Sequence, residues 1–445
     1  MTGKEKNMKT TFYDLQLFAA GDSVNYAGNN NDANAGAMNA NNGGTHISSG
    51  LSAEMKTFYD KALITLAGPN LVHDQFGQKR PIPKNGGKTI EFRKFSKLPK
   101  AMKPITEGVT PSGNKLNVSA ITARVEQYGD YVEQTDMLEL TAIDNTIVEA
   151  TKELAAQAGL TLDTVVRNEL VGGTNVMYVP QSHEVKERDY EVTSRADITA
   201  ACRLCVKDVF KAAAELKAVN APKINGSYVA IIHPYVAYDL MQEAGDTWVE
   251  IQKYKNPEKI YRGEIGEIGG VRFVESTEAK IYAPAVISDS LSRLTVKTAV
   301  ASSTTSVTVN ESLTAQTFAT PVPVYVNGVD NTITAISVSG GVATLTLGTA
   351  VTYLDAGDVI CGRGAGRDGS AVFCTIFLGE NAYGVTDIEG GGLEHIVKQL
   401  GYGNDPLNQR SSVGWKATKV AKRLLEEYIL RVESGSAFSS SAEEN

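Results

Sequence analysis

One short stretch of the sequence ends like a nucleotide-binding loop. Gly87-Lys88-Thr89 matches the close of a phosphate-binding motif, whose backbone amides and lysine cradle nucleotide phosphates. The motif also needs a first glycine at position 82, which is Ile82 here, and a helix after the loop, where this sequence has a strand pattern. We therefore predict a plain turn at 86–89.

Cysteine and histidine offer two further candidates for chemistry. Cys202 and Cys205 form a Cys-x-x-Cys pair, but no second pair or histidine stands at zinc spacing, and the surrounding pattern places both on the apolar face of a predicted helix. His233 stands at a strand end before a helix, where catalytic groups often lie, yet it has no evident partner. We predict buried thiols, no catalytic, cofactor-binding or metal-binding residue, and a protein that is not an enzyme.

The bulk composition narrows the class of protein. Of 445 residues, 42% are apolar and 21% charged, and the net charge of -8 argues against a dedicated nucleic-acid-binding protein. Four scattered cysteines fit a reducing cytosol, and no apolar run reaches the roughly 20 residues that cross a bilayer. Asp14 and Gln16 interrupt the apolar patch near the start, so we expect no secretion signal. Because no apolar run is long enough to cross a bilayer, we also expect no membrane association.

Two adjacent blocks of opposite charge are the strongest functional signal. Residues 79–103 hold nine basic side chains against one acid, Glu91, and an acidic segment follows. Such blocks suit head-to-tail contacts between copies of a chain. The predicted contact residues are Arg93, Lys94, Lys97, Lys100, Lys103, Asp130, Glu133, Asp136 and Glu139. Two alternatives remain open: the blocks are solvated faces, or the basic block touches DNA phosphates.

The elements that position these charges follow from periodicity. Alternating residues at 88–95 and again from 116 predict two strands joined by a long connection, which forms an outward-reaching hairpin. Apolar residues every three or four positions predict a long helix from about 141 to 171 and a second helix after Asp197. Tyr228–Ile232 reads as a buried strand, with a helix starting at Pro234.

The N-terminal segment and one internal stretch differ in composition from the rest of the sequence. Residues 25–50 are mostly Asn, Ala, Gly, Ser and Asp, which predicts a flexible arm; the apolar residues ahead of it are predicted to dock on a neighbour, the alternative being no partner at all. These docking residues are Phe12, Leu15, Leu17 and Phe18. Residues 291–366 are short Val-, Thr- and Ser-rich runs between Gly and Asn turns, which predicts an inserted β-barrel or sandwich.

Several separated segments resemble, in order, the N-four-type family of tailed-phage and prophage major capsid proteins. They are MKTTFYDLQLFA, GQKRPIPKNGGKTIEFRKFSKLPKAMKPITEGVTP, GEIGEIGGVRFVES and FLGENAYGV. The resemblance implies an α+β tailed-phage major capsid fold with an N-terminal arm, an extended β-hairpin loop, a spine helix, peripheral and axial domains and an inserted all-β domain. The implied boundaries are 1–50 arm, 51–76 N-terminal helix, 77–135 extended loop, 136–180 peripheral domain with the spine helix, 195–290 axial domain, 291–366 inserted domain, 367–395 axial domain continued, 396–433 peripheral return and 434–445 disordered tail.

The resemblance also implies a function. It predicts a major capsid protein that self-assembles as hexamers and pentamers into an icosahedral head enclosing double-stranded DNA, without a cofactor. Portal, scaffolding and decoration proteins are the further partners it implies, with assembly in the bacterial host cytoplasm and the virion as destination. The alternatives are a cell-envelope or adhesin-type structural protein and, less favoured, an α/β enzyme.

Overall fold

The computed structural model describes residues 72–95, 98, 100–102, 104, 107–108, 113–141, 146–181, 192–244, 263–401 and 405–445, with the backbone alone for 94–95, 139–140 and 146. Four α-helices lie in these ranges: α1 Asp136–Thr141, α2 Thr146–Val171, α3 Val206–Ala218 and α4 Pro234–Ala244. Single turns of 3-10 helix lie at Arg195–Asp197, Arg367–Gly369 and Glu426–Tyr428. The predicted arm, with Phe12, Leu15, Leu17 and Phe18, lies outside the described residues.

Twenty strands lie in the same ranges. In chain order they are β1 Gln78–Lys79, β2 Thr89–Phe95, β3 Val118–Arg124, β4 Glu126–Thr135, β5 Val176–Tyr178, β6 Tyr228–Ile232, β7 Glu264–Ile268, β8 Val271–Glu275, β9 Ile281–Tyr282, β10 Arg293–Thr295, β11 Thr304–Val309, β12 Gln316–Val326, β13 Val329–Ser339, β14 Val342–Val351, β15 Val359–Gly362, β16 Val372–Leu378, β17 Tyr383–Thr386, β18 Glu394–Lys398, β19 Arg410–Arg423 and β20 Ile429–Ser434. They form sheets of seven, five, six and two strands. The mixture of helices and sheets confirms the predicted α+β class.

The seven-stranded sheet holds the largest core. Its strand order is β5-β20-β16-β6-β8-β7, and β9 pairs with the end of β16. β16 and β6 are buried along their whole length, which explains their continuous apolar sequences. The buried faces of α3 and α4 and the C-terminal end of α2 pack into the same core. The predicted strand Tyr228–Ile232 and the helix start at Pro234 are confirmed.

The five-stranded sheet packs against the other half of α2. Its longest strand, β19, pairs with β4 and β18 along its first part and with β17 along its last four residues. Leu154, Ala158 and Leu162 of α2 pack on Val413 and Trp415 of β19. Because the end of α2 enters the large core, this one helix joins both sheets. The predicted long helix is confirmed from Thr146, whereas residues 142–145 are not described.

A buried pair fixes the start of the described chain to α2. His73 and Asp163 are both fully buried, and the ring Nδ1 of His73 lies 2.6 Å from Oδ2 of Asp163. The backbone amide of His73 donates to Oδ1 of the same carboxylate at 2.7 Å, and the Tyr383 hydroxyl donates to the His73 carbonyl. Residues 73–76 form a turn here, so the predicted helix does not extend to 76; its earlier part lies outside the described residues.

Residues 293–362 close into a small barrel. The strand order is β10-β15-β12-β13-β14-β11, and a bridge between Val296 and Val309 joins the two ends. Two backbone hydrogen bonds complete this closure, Lys297 N to Thr308 O at 2.8 Å and Asn310 N to Thr295 O at 3.0 Å. The interior has its own apolar cluster, which includes Leu294, Ile333, Leu345 and Ile360. The barrel therefore holds a core separate from that of the body.

The second predicted helix starts later than the sequence suggests. It begins at Val206 instead of just after Asp197, with Cys205 as its N-cap and the amide of Cys205 donating to Oδ2 of Asp208 at 3.1 Å. Cys202 lies before the helix in an irregular segment, where its carbonyl accepts from Gly435 N. Both cysteines are buried thiols as predicted, but Cys202 is not on a helix face.

The C-terminal segment also corrects a prediction. Residues 434–445 were expected to be a disordered tail, yet they make specific contacts with α4 and β9. The Ser436 hydroxyl donates to the buried Asp239 carboxylate at 2.8 Å, and the Phe438 ring stacks on Tyr235 with centroids 4.6 Å apart. The Asn445 side-chain oxygen accepts from Ile281 N at 3.0 Å. Polar composition alone did not reveal these partners.

Candidate inter-subunit surface

The hairpin predicted from the alternating residues at 88–95 and after 116 is a separate two-stranded ribbon, formed by β2 and β3. The two strands pair antiparallel without a register shift, from Thr89 opposite Arg124 to Phe95 opposite Val118. In the middle of β2, Phe92 is buried and packs so closely on Gly384 that a Cβ there would lie 2.6 Å from the Phe92 ring. An isolated two-stranded ribbon is marginally stable in water, so this one needs a further surface.

Large apolar side chains are exposed on the ribbon and on the described parts of its connection. Met102 is 80% exposed, and Leu98, Leu116 and Val118 are each more than half exposed. Removing such a side chain from water is worth roughly 1.5–3 kcal/mol, so a partner that covers several of them gains substantial free energy. The ribbon therefore has the composition of one half of an interface.

Three of the five predicted basic contact residues lie in the described part of this ribbon and its connection. Arg93 on β2 is exposed, and its guanidinium lies 3.6 Å from Glu91, which is also exposed. The backbone of Lys94 pairs with Ser119, while its side chain is not described. Lys100 is exposed in the connection. Lys97 and Lys103 lie outside the described residues.

The predicted acidic contact residues occupy the segment 126–141, which we name the acidic edge. Asp130 and Glu133 are exposed on β4, Asp136 is half-buried at the start of α1, and Glu139 lies in α1 with its side chain not described. β4 pairs with β19 throughout, so it belongs to the five-stranded sheet. Of the predicted extended loop, 77–135, the separate two-stranded ribbon includes 89–95 and 118–124. Asp130 lies beside α2, where it contacts Gln157.

Hydrogen bonds keep Asp130 ionised. Its Oδ2 accepts from the Gln157 side chain of α2 at 2.7 Å, and its Oδ1 accepts from Tyr131 N at 2.8 Å. The bond from Gln157, followed by the bond from the Tyr131 amide, lowers the pKa of the Asp130 carboxyl. Gln157 also accepts from the indole nitrogen of Trp415. A charged carboxylate is therefore held in place by a side chain that is itself oriented.

Apolar side chains that the sequence analysis did not single out accompany these acids. Tyr131 is 63% exposed and Met137 62%, and Leu138 and Leu407 are also exposed close by. The sequence of β4, EQYGDYVEQT, lacks an alternating apolar face, and this was the available signal that the strand does not bury a full side. Both the ribbon and the acidic edge thus combine charge of one sign with uncovered apolar surface.

An open groove of about 550 Å³ adjoins the acidic edge. It lies on the face of β4, β18 and β19 that includes Tyr131, Glu133 and Ser412, and Lys398 and Arg410 line its sides. Gly414 also lines the groove, and an added Cβ there would lie 2.7 Å from Cβ of Tyr131. The glycine therefore allows Tyr131 to pack closely against the backbone of β19.

Comparison with known proteins gives one consistent finding. No protein-family model and no curated protein matches the sequence. The chain is similar to phage capsids. The capsid of Ralstonia phage GP4 shows 13% sequence identity and a TM-score of 0.48 over 81% of this chain and 87% of that one. The capsid of cyanophage P-SCSP1u shows 12% sequence identity and a TM-score of 0.46, over 82% of this chain and 89% of that one. The head of Helicobacter pylori bacteriophage KHP40 shows 10% sequence identity and a TM-score of 0.43, over 80% of this chain and 87% of that one.

The residues considered for catalysis and nucleotide binding, His233 and Gly87, lie in environments that fit a structural role. His233 is buried against Tyr235 and Phe373, and its Nδ1 accepts from Tyr235 N at 3.2 Å. Burial lowers the pKa of His233 to about 4, which keeps the ring neutral. Gly87 has a φ of 89° in the turn before β2, as a plain turn requires. Within the described residues, no cluster of three metal-ligating side chains occurs and no helix has the length and apolarity to span a bilayer.

Proposed function

We propose that this chain is the major capsid protein of a tailed phage or prophage, and that its copies assemble into an icosahedral head shell around double-stranded DNA. The single observation that carries the proposal is the β2–β3 ribbon, which has almost no core of its own and exposes both basic and apolar side chains. Such an element is incomplete in one chain, and the same chain offers an acidic, partly apolar edge that suits it.

The two surfaces differ from one another, which determines the kind of assembly. When unlike surfaces of identical chains meet, the contact is heterologous and repeats from copy to copy until a ring closes. Rings of five and six copies, as in pentamers and hexamers, are the closed units from which an icosahedral shell is built. The ribbon supplies the reach, since seven residues of strand extend about 23 Å.

In this arrangement the ribbon of one copy lies on the acidic edge of the next. Arg93, Lys94, Lys97, Lys100 and Lys103 would face Asp130, Glu133, Asp136 and Glu139. Charges of opposite sign steer the approach and fix the register, while burial of Met102 and Tyr131 supplies affinity. This division of roles predicts that charge reversal slows assembly more than it destabilises the individual chain.

Further partners belong to the same proposal. The N-terminal residues Phe12, Leu15, Leu17 and Phe18 would dock on a neighbouring copy, and the barrel would lie as an insertion on the shell, open to a decoration protein. Portal and scaffolding proteins and the enclosed DNA complete the set. The protein would assemble in the host cytoplasm, act in the virion, and have a structural role without catalysis.

The test begins with the purified chain under assembly conditions. Negative-stain microscopy should show regular shells or capsomers, and light scattering should report particles far larger than a 47.6 kDa monomer. The variant Arg93→Glu/Lys100→Glu should lower the assembly rate at least tenfold while its circular dichroism spectrum stays that of the wild type. Monomers alone under every condition would contradict the proposal.

Two further variants make the test specific. The matched control Arg293→Glu/Lys297→Glu reverses two exposed charges on the barrel and should assemble at the wild-type rate. Adding Asp130→Lys/Glu133→Lys to the ribbon variant reverses both surfaces, so it should restore assembly in part. Equal impairment by the barrel control would show that net charge, and not the ribbon contact, controls assembly.

A further inference from the structure

The outer face of α3 is basic. Val209, Ala212, Ala213 and Leu216 point into the core of the seven-stranded sheet, so the opposite side of the helix faces out. That side and the loop after it expose four lysines, Lys207, Lys211, Lys217 and Lys223, which we name the basic face. Glu215 is the exposed acid of the helix, and Asp208 is buried at its N-terminus.

These four lysines have no acidic partner in the described chain. None of their ammonium groups forms an ion pair there, whereas other lysines do: Lys416 lies 2.8 Å from Glu394 and Lys419 lies 2.6 Å from Asp74. In a chain with a net charge of -8, an uncompensated cluster of this kind creates a local positive potential. Its natural ligand is a polyanion.

The shape of the face favours an extended, uniformly charged partner. Lys207 and Lys211 are one helical turn apart, and Lys207 and Lys217 are separated by about 15 Å along the helix axis. The small side chains of Ala214 and Ala218 lie between the lysines, so no bulky group protrudes from this part of the surface. Phe210, 49% exposed, rests on Gly269 at one side, where an added Cβ would lie 2.5 Å from its ring. Duplex DNA carries about one phosphate charge per 1.7 Å of helix axis, so a 15 Å face meets several phosphates.

Comparison with the acidic edge separates two classes of partner. Protein interfaces are depleted in lysine and enriched in aromatic residues and methionine, as at Tyr131 and Met137. The basic face offers lysine and alanine with a single large apolar side chain, Phe210. From this we infer that the basic face binds the phosphate backbone of double-stranded DNA without sequence preference. The inference deepens the proposed function, on which it rests, by assigning the surface that meets the enclosed DNA.

Binding of a labelled duplex of about 30 base pairs to the unassembled full chain, followed by fluorescence anisotropy, tests this directly. Four phosphate contacts predict a slope near -3.6 for log affinity against log salt, a loss of roughly 100-fold between 50 and 200 mM salt. The variant Lys207→Gln/Lys211→Gln/Lys217→Gln/Lys223→Gln should bind at least tenfold more weakly with a slope near zero. The control Lys84→Gln/Lys115→Gln/Lys297→Gln/Lys398→Gln carries the same net charge and should keep most of the affinity.

The outcomes distinguish this inference from the proposed function. Equal loss of affinity in both variants, or wild-type affinity in the first, would overturn the assignment of the basic face. Microscopy of the same preparations reports assembly separately, so a wild type that binds DNA through these lysines but forms no shells would defeat only the proposed function. A basic-face variant that binds DNA normally yet fails to assemble would identify the face as a contact with a second copy and overturn the inference.

Discussion

The ribbon and the barrel are both β-structures that leave the α/β body, and they solve the burial problem in opposite ways. The barrel closes its six strands on a core of its own, with Leu345 and Ile333 fully buried. The ribbon has two strands, and the only large side chain it buries among those described is Phe92 in the middle of β2. A closed barrel is complete within one chain, whereas an open ribbon whose connection exposes Met102 and Leu116 becomes complete only against another surface.

The largest expected effect concerns the anchor that leads into the ribbon. Asp163→Asn removes the carboxylate that holds the ring and backbone of buried His73, so it should destabilise the body by roughly 3–5 kcal/mol. Urea denaturation followed by circular dichroism measures the change. Asp330→Asn, which breaks an exposed pair with Arg363 on the barrel, is the control and should change stability by less than about 1 kcal/mol. Similar losses of stability in the two variants would show that the His73–Asp163 pair does not anchor the chain.

The barrel core provides the next test. Leu345→Ala should lower barrel stability by about 2–5 kcal/mol because it leaves a cavity in a closed apolar interior. Hydrogen exchange by mass spectrometry should show faster exchange in β11–β15 and unchanged exchange in β6 and β16. The neighbouring exposed position, Thr346→Ala, should have little effect. Faster exchange throughout the body would show that the barrel is not an independent unit.

The body and the barrel should also differ in how their stability depends on pH. The pKa of buried His233 is lowered to about 4 from its usual 6.5, so as the pH falls the unfolded chain takes up this proton first. The stability that neutral His233 provides is complete above pH 6.5 and declines by about 3 kcal/mol towards pH 4. The barrel strands contain no histidine and should not share this decline. Denaturation of wild type and His233→Gln between pH 7 and pH 4 checks it, and an unchanged pH slope in the variant would contradict it.

The smallest effect on the isolated chain is expected in the connection between the two ribbon strands. Met102→Ser alters a side chain that is already 80% exposed, so the free energy of unfolding of the unassembled protein should change by less than about 0.5 kcal/mol. Its assembly yield should nevertheless fall, because the apolar contact with the neighbour is lost. Val329→Ser, at an apolar position on the barrel that is 68% exposed, should leave the assembly yield unchanged. Light scattering of both variants gives the comparison.

Periodicity and charge predicted much of this architecture. The alternation at 88–95 and after 116 predicted the paired strands β2 and β3, and the helical spacing before Gly172 predicted α2, because each pattern records which side is buried. The short β-rich runs of 291–366 predicted strands, and six of them close the barrel. Local pattern is sufficient where an element buries a regular face.

The errors arose where long-range contacts override local composition. Ile198 and Cys202 are buried before α3 starts because residues 366–367 and 435 pack against them, so apolar spacing there imitated a helix. The polar C-terminal segment is ordered by Asp239 and by the backbone around Ile281, partners that no sequence window contains. The exposed Tyr131 and Met137 were missed because a sequence pattern predicts which residues a chain buries and not which large apolar side chains it leaves exposed.

Hydrogen exchange of the ribbon before and after assembly tests the central claim most directly. Peptides covering 89–95 and 118–124 are compared between unassembled chains and shells, with the barrel strands β11–β15 as the internal reference. We expect the ribbon amides to exchange rapidly in the unassembled chain and at least tenfold more slowly in the shell. The barrel amides should be equally protected in both states. A ribbon that is already protected in the unassembled chain, or that exchanges equally fast in the shell, would contradict the claim that a neighbouring copy completes it.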